Sequence, residues 1–455
     1  MNTTDLDLLK NLRNLFVIVI VMSVAELAHA DTHIEQSASL LDVYNLARES
    51  DTNLAIARFQ VDGASAQRDI ARGKFFPQVS LFADLSQNKV RYEDGPLEQL
   101  PAQEYPGERY GLQLRAPLFN MRSFREYERQ DALVDQATEQ LAVAESELLG
   151  SVVQAYLLAL LTAETVQRFQ AELTALEKQL EEANALYERS LLPVTQVLET
   201  QTRVDGLQAD LVDAEGQADL AAEQLALLIG VRGIKLRSVS DHISLMSNVG
   251  DVEQAAEVAI GSDPAVAAAN DALNAARKGI SRERGSWFPE VDFVYTSQYS
   301  DVGFDNLTSP PRSSESYSIS MRYPLFEGGA GSARLRAAWA EFYSAQQGVE
   351  AAKRQASSRA IAAWLNLQTA SKRIQAARQA SKTAGVNVEA AQRAVRVGTA
   401  RVTDVLIALA QNTRAKRDLS EARFQRVVGW LELELATGAD PEILATRLSD
   451  ALLGI

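Results

Sequence analysis

The sequence predicts a mainly α protein with a small β part: a duplicated unit in which a β-hairpin feeds a long coiled-coil helical hairpin. Three observations predict it. The chain repeats itself, two pairs of short segments alternate polar and apolar residues, and the stretches after them keep a heptad spacing over many turns. The repeat is anchored by Arg322-Tyr-Pro-Leu-Phe-Glu-Gly-Gly329, whose partner is Arg115-Ala-Pro-Leu-Phe-Asn-Met-Arg122. Phe76-Pro77-Gln78-Val79 matches Phe288-Pro289-Glu290-Val291 at an offset of 212. Ala155-Tyr156-Leu157 matches Ala363-Trp364-Leu365, and Val194-Thr195-Gln196-Val197-Leu198 matches Val402-Thr403-Asp404-Val405-Leu406, both at an offset of 208. Between residues 156 and 230 no insertion is needed. Loops tolerate length changes and packed helices do not, so two equivalent arms must lie side by side.

Residues 1–30 read as a secretory signal: Lys10 and Arg13, then the apolar run Leu15 to Val24, then the cleavage pattern Ala28-His29-Ala30. The first repeat is expected over 31–245 and the second over 246–455. Residues 39–73 carry a helical stripe of Leu40, Val43, Tyr44, Ala47, Leu54 and Ala57, ended by Gly73 and Pro77. The period then changes to two. A β-hairpin is expected within 75–118 and its copy within 287–325, with loops near 91–107 and 303–315. On the apolar parity stand Val79, Leu81, Leu112, Leu114, Val291, Phe293, Ile319 and Met321, the expected lipid-facing set. Such alternation fits a transmembrane β-barrel, and equally a soluble sheet with one wet face.

Each hairpin feeds a helical hairpin, expected over 119–230 and 327–438. The descending helices hold Phe169, Leu173, Leu176, Leu180, Ala183 and Tyr187 in heptad register, copied by Ala377, Ser381, Ala384, Val388, Ala391 and Val395. The return helix carries Val204, Leu207, Leu211, Ala214, Ala218, Ala221, Leu225 and Leu228. A sustained spacing of 3 and 4 specifies coiled-coil packing. Turns are expected near 190–194 and 398–402, at Pro193 and Gly398. A polar connection over 231–250, a helix from about 251 that copies 39–73, and a C-terminal equatorial segment at 439–455 complete the chain. Outside the signal, no stretch reads as long and apolar enough for a transmembrane helix.

Composition excludes several function classes. Cysteine is absent, so disulfides, thiolate metal sites and cysteine nucleophiles are absent too. The net charge of −15 disfavours nucleic acid as a partner. His29, His33 and His242 are too scattered for a metal or catalytic cluster, and no phosphate-binding loop or metalloprotease motif occurs. The expectation is therefore no enzyme, no catalytic set, no metal and no cofactor.

Four strands cannot close a barrel, because at least eight are needed, so a membrane reading requires several chains. At this point the residues resemble the TolC-like outer-membrane efflux proteins, the outer membrane factors. The resemblance rests on the duplicated halves, Phe-Pro opening each hairpin, Pro-Leu-Phe-Glu-Gly-Gly at 324–329 and Val-Gly-Thr-Ala-Arg-Val-Thr-Asp-Val-Leu at 397–406. It implies a homotrimeric α-barrel/β-barrel channel-tunnel in the outer membrane, in contact with its lipid and extending into the periplasm. It also implies a periplasmic adaptor and an inner-membrane pump or ABC exporter as partners, in tripartite efflux or type I secretion. A soluble periplasmic coiled-coil adaptor or scaffold is the alternative.

Site residues follow from the same resemblance. Asp404, with Thr403, Thr195, Gln196 and Val395, falls at the periplasmic entrance. Asp404 reads equally as a helix-start carboxylate favoured by the helix dipole. Gln196 and Ile407 stand where the family has further acids, and Val395 stands where some members have a latching tyrosine. Gly398 and Thr399 match the tip that adaptors grip; their first-half equivalents, Ser190 and Leu191, lack the glycine. Pro117, Pro324, Gly328 and Gly329 match the strand-to-helix corners, and Tyr156 and Trp364 read as core.

Overall fold

The computed structural model describes residues 37–91, 93–94, 96, 101–240, 245, 250–301, 310–397 and 399–454, apart from the side chains of Val90, Gln103 and Val402. The expected signal at 1–30, the three histidines and Gly398 lie outside these residues.

The stripe at 39–73 forms two helices rather than one, α1 (Leu40–Ser50) and α2 (Thr52–Gly73). The break is a capping event. Asp51 is extended, and its carboxylate accepts from the Leu54 amide at 2.7 Å. An N-cap satisfies an orphan donor that a continuous helix would not offer. Strands β1 (Gln78–Val90) and β2 (Gln103–Phe119) follow; β1 ends where the loop was expected to begin, and β2 starts four residues before the expected loop ends. Then come α3 (Met121–Glu188) and α4 (Val194–Ile229), of 68 and 36 residues. At 1.5 Å per residue, α3 is roughly 100 Å long.

The second copy repeats the first. Helices α5 (Val252–Ser262) and α6 (Pro264–Gly285) break at Asp263, whose carboxylate accepts from the Ala265 amide at 2.8 Å. Strands β3 (Glu290–Ser300) and β4 (Arg312–Arg322) lead into α7 (Ala330–Arg396), α8 (Val402–Ala436) and the terminal α9 (Pro441–Leu453). The four strands make one antiparallel sheet in the order β1-β2-β3-β4, leaving β1 and β4 as open edges.

Helix α3 pairs with α4, and α7 with α8, as antiparallel coiled coils. Their seam is the expected heptad set: Leu176, Ala183, Val204, Leu207, Ala214, Ala221 and Leu225 are buried, while Tyr187 at the lower end is exposed. Leu406 of α8 joins Leu176, Val204 and Leu207, so the two hairpins touch near their lower ends. The main core lies higher. There α1, α9 and Leu245 wrap the middle of α3, α4 and α8 around Leu149, Val152, Tyr156, Trp430, Leu431 and Leu444. The connection is tied in by backbone bonds, Ala38 N to Lys235 O at 2.8 Å and Ser240 N to Leu452 O at 2.8 Å. The Tyr156 hydroxyl donates to Arg237 O at 3.0 Å, and burial pushes its pKa up to about 12, so it stays a donor. Trp364 is half-buried against a smaller cluster of Ala255, Ala259, Ala360 and Leu433.

One sequence expectation is corrected here. Helix α3 does contain a window long and apolar enough to cross a membrane. The physical reason is its central run of leucine, valine and alanine, of which Leu148, Leu149, Val152, Val153, Leu157 and Leu160 are buried in the core just described.

Candidate functional site

The sheet is the first part of the site. Register aligns the apolar parities of all four strands. Leu81 pairs with Leu112, Val79 with Leu114, Leu114 with Tyr295, Phe293 with Ile319 and Val291 with Met321. One face is therefore apolar from edge to edge, and Leu81, Ile319 and Met321 are at least 70% exposed. Tyr110–Tyr299 and Tyr295–Tyr317 put aromatic pairs on it, with centroids 5.0 and 4.8 Å apart. The opposite face is polar. Arg109 pairs with Asp84 at 3.0 Å and Arg115 with Asp292 at 2.5 Å, while Ser314, Ser316, Ser318 and Ser320 alternate along β4. Among the described residues the strands pack on one another, and no helix lies across either face. A soluble sheet covers its apolar face; this one leaves it open together with both edges.

The corners turn sheet into tunnel, and the two copies do it differently. In the first, Pro117 lies at a register shift and Asn120 caps α3, accepting from the Ser123 amide at 2.9 Å. In the second, Pro324 is followed by Gly328 and Gly329, with φ of 59° and 88°. Both angles lie in the left-handed region that glycine enters without steric cost. An ionic cluster ties the corners together. Buried Glu283 of α6 meets Arg282 at 2.5 Å and Arg334 of α7 at 3.5 Å. Arg282 also reaches Glu126 of α3 at 3.2 Å. Burial pushes the Glu126 pKa up, but hydrogen bonds from Gln130 and Arg282 and the charges of Arg129 and Arg282 outweigh it, and the net shift is down.

At the tip, α3 ends in a left-handed Ser190 with φ of 58°. Ser190 N donates to Tyr187 O at 2.8 Å and Leu191 N to Leu186 O at 2.9 Å. At the matched position of α7, Thr399 N donates to Ala394 O at 2.9 Å. Both descending helices thus end in the same six-to-one bond, whose usual left-handed residue is glycine. Serine takes that conformation in the first copy; Gly398, at the matched position, lies outside the described residues.

The structure places Asp404 in the first turn of α8. Its carboxylate accepts from the Arg401 amide at 2.9 Å and is exposed. That is the capping geometry, and it leaves one carboxylate oxygen free. Thr403 donates to Glu199 of α4 at 2.7 Å, joining the two hairpins. Glu199 is an acid that the sequence reading passed over. It stands one helical turn beyond Thr195 and Gln196, so a search along that face would have found it. Thr195 is exposed and Gln196 half-buried beside it; Val395 is half-buried at the end of α7, where its carbonyl accepts from the Val397 amide.

Comparison with known proteins completes the site. The family model described as outer membrane efflux protein matches residues 43–231 and again 255–439. The chain belongs to the outer membrane efflux protein family. It is accordingly an outer-membrane exit duct and not an enzyme. Among similar proteins, the outer membrane protein TolC of Vibrio cholerae serotype O1 is 26% identical, over 88% of this chain and 90% of the relative. The proteases secretion protein PrtF of Dickeya chrysanthemi is 25% identical, over 89% of this chain and 88% of the relative. The fold is similar to that of the Campylobacter jejuni outer membrane channel CmeC, with a TM-score of 0.76 at 13% identity, over 91% of this chain and 89% of that one. TolC-like proteins work with adaptors and inner-membrane pumps in efflux or secretion systems.

Proposed function

We propose that the chain is the exit duct of a tripartite efflux or type I secretion system, built from three copies. Edge β1 of each copy pairs with edge β4 of the next, so three four-stranded sheets close into one twelve-stranded barrel. The observation that carries this reading is the sheet: an apolar face with no helix across it among the described residues, between two open edges. Lipid covers that face and the serine-rich polar face lines the lumen. Each chain is one duplicated unit, over 31–245 and 246–455, and the belt of α1, residues 234–240, Leu245 and α9 girdles the tunnel. Energy comes from an inner-membrane pump or ABC exporter, reached through a periplasmic adaptor that grips Ser190-Leu191 and Gly398-Thr399. Mass measurement in detergent tests the assembly; one or two chains per particle contradicts it.

The periplasmic entrance forms where three copies bring Asp404 and Glu199 toward one axis. Converging carboxylates in a narrow opening concentrate cations and repel anions. The isolated duct is accordingly cation-selective, and Asp404→Ala reduces that selectivity and relieves block by trivalent cations. Reversal potentials in a salt gradient test it. Equal values for the native protein, Asp404→Ala and Asp404→Asn return Asp404 to a purely capping role.

A further inference from the structure

The duplicated chain contains one of its own interfaces twice, and only one of the two is filled. Helix α6 lies between α3 and α7. Toward α3 it presents Lys278 to Glu128 at 3.7 Å and Arg282 to Glu126 at 3.2 Å. Gly285 approaches so closely that a Cβ there would lie 3.0 Å from the Arg122 Cα. Asp271 faces the same way: burial first, then the charge of Asp135, raise its pKa.

Helix α2 is the copy of α6. Both have 22 residues and both start from an extended aspartate. Yet among the described residues α2 packs on one side only, against α3, with Arg68 at 3.9 Å from Asp131 and the Phe75 ring 6.4 Å from Phe124. At the offset of 212, the positions matching Asp271, Lys278, Arg282 and Gly285 are Phe59, Ala66, Ile70 and Gly73. All four are exposed, Phe59 at 72% and Ile70 at 57%. A Cβ on Gly73 would meet nothing within 4 Å, so nothing inside the chain requires a glycine there. At the offset of 208, the α7 positions matching Arg122, Glu126, Glu128 and Asp135 are Ala330, Arg334, Arg336 and Tyr343. Tyr343 is 56% exposed and stacks 5.7 Å from Trp339 in an aromatic patch with Phe342.

We infer that α2 of one copy seats on the start of α7 of a second copy in the register of α6 on α3, with Gly73 against the backbone at Ala330 of the partner subunit and Phe59 against Tyr343 of the partner subunit. The inference rests on the proposed closure of copies into a ring, and names the residues that meet there. Open strand edges β1 and β4 adjoin these same two helices, so one approach closes sheet and tunnel together. The chemistry of the two seams differs. Within the chain the seam is ionic and carries an acid pair. Between copies the acids become an aromatic pair, Lys278 becomes Ala66 and Arg282 becomes Ile70. Arg334 already has Glu283 and Glu327, so Ile70 covers its aliphatic stem without taking an acid from it.

The chain has no cysteine, so introduced thiols report only on themselves. The experiment is the double variant Phe59→Cys/Tyr343→Cys, oxidised in detergent and run without reductant, beside each single variant. Covalent species up to three chains are expected from the double variant and not from the singles. No cross-link from protein that still weighs three chains overturns the register while leaving the trimer standing. Protein that weighs one chain before oxidation overturns both. A second variant, Gly73→Leu, has open space within the chain, so the monomer should keep its helical signal while the three-chain mass is lost. Retention of the full three-chain mass by Gly73→Leu also overturns the register.

Discussion

The two copies share a backbone and differ in chemistry, and the difference shows what each position answers to. Asp51 and Asp263 break their helices at nearly the same angles, φ −68° with ψ 123° and 124°. The descending helices have 68 and 67 residues. Length is held because the arms lie side by side. Side chains are not held. Asn120 caps one corner and a pair of left-handed glycines makes the other. Serine takes the left-handed position at one tip. Ions bind α6 to its neighbours, while α2 offers an apolar stripe. Geometry was duplicated, and each copy then took the chemistry of the neighbour it faces.

The largest expected effect lies where the second copy carries buried charge and the first does not. Glu283 is 3% exposed with Arg282 and Arg334 against it, and Ala71 stands at its matched position. Glu283→Ala leaves the guanidinium groups of a buried cluster without their shared acid and should cost about 3–5 kcal/mol, read from denaturant midpoints. Ala71→Glu, at the copy, should not restore what is lost. If Glu283→Ala is neutral, the corner is held by packing and the ionic contrast between the copies has no energetic content.

The sheet comes next, where the copies agree. Leu81→Arg and Ile319→Arg, on the apolar faces of the two hairpins, should each lower assembly in lipid by about 2–4 kcal/mol at the midplane. Ser80→Arg and Ser318→Arg, on the polar faces, should assemble normally. Equal losses on both parities would refute the lipid-facing assignment.

Smaller effects separate the copies at the tip. Ser190 holds a left-handed conformation that costs a non-glycine residue about 1–2 kcal/mol. Ser190→Gly should recover about 1 kcal/mol of local stability, seen as slower amide exchange in the last turn of α3. Ser190→Val should lose stability at the same amides. The smallest effect depends on pH. Burial and Asp135 raise the folded pKa of Asp271, so its ionised form penalises the fold. The penalty is present at pH 7 and disappears as pH falls through the raised pKa. Asp271→Asn should therefore raise the melting temperature at neutral pH and leave it unchanged near pH 3.

Much of this was legible in the sequence, and the reasons are physical. Fixed repeat offsets require helices of equal length, and a period of two requires strands whose parities align. Both are long-range regularities that single residues cannot hide. Local events were harder to read. The break at Asp51 interrupts an apolar stripe and only the capping carboxylate marks it, whereas Asp263 is followed by Pro264 at the first helical position. Strand ends ran past the alternation because edge pairing at Lys89 and Glu104, 2.5 Å apart, needs no apolar residue. Glu199 was missed because its partner Thr403 lies in the other hairpin, more than two hundred residues away. The apolar window of α3 was legible as its central run of leucine, valine and alanine; what the sequence did not show is that belt residues cover part of it.

The central claim is that copies of this sheet close into one conducting pore. Single-channel recording in a planar bilayer tests it most directly, using detergent-purified protein whose particle mass is known. The account predicts particles of three chains that insert and give discrete current steps, absent when Leu81→Arg protein is added instead. Three-chain particles that insert yet carry no current, or native-sized steps from Leu81→Arg protein, would contradict it.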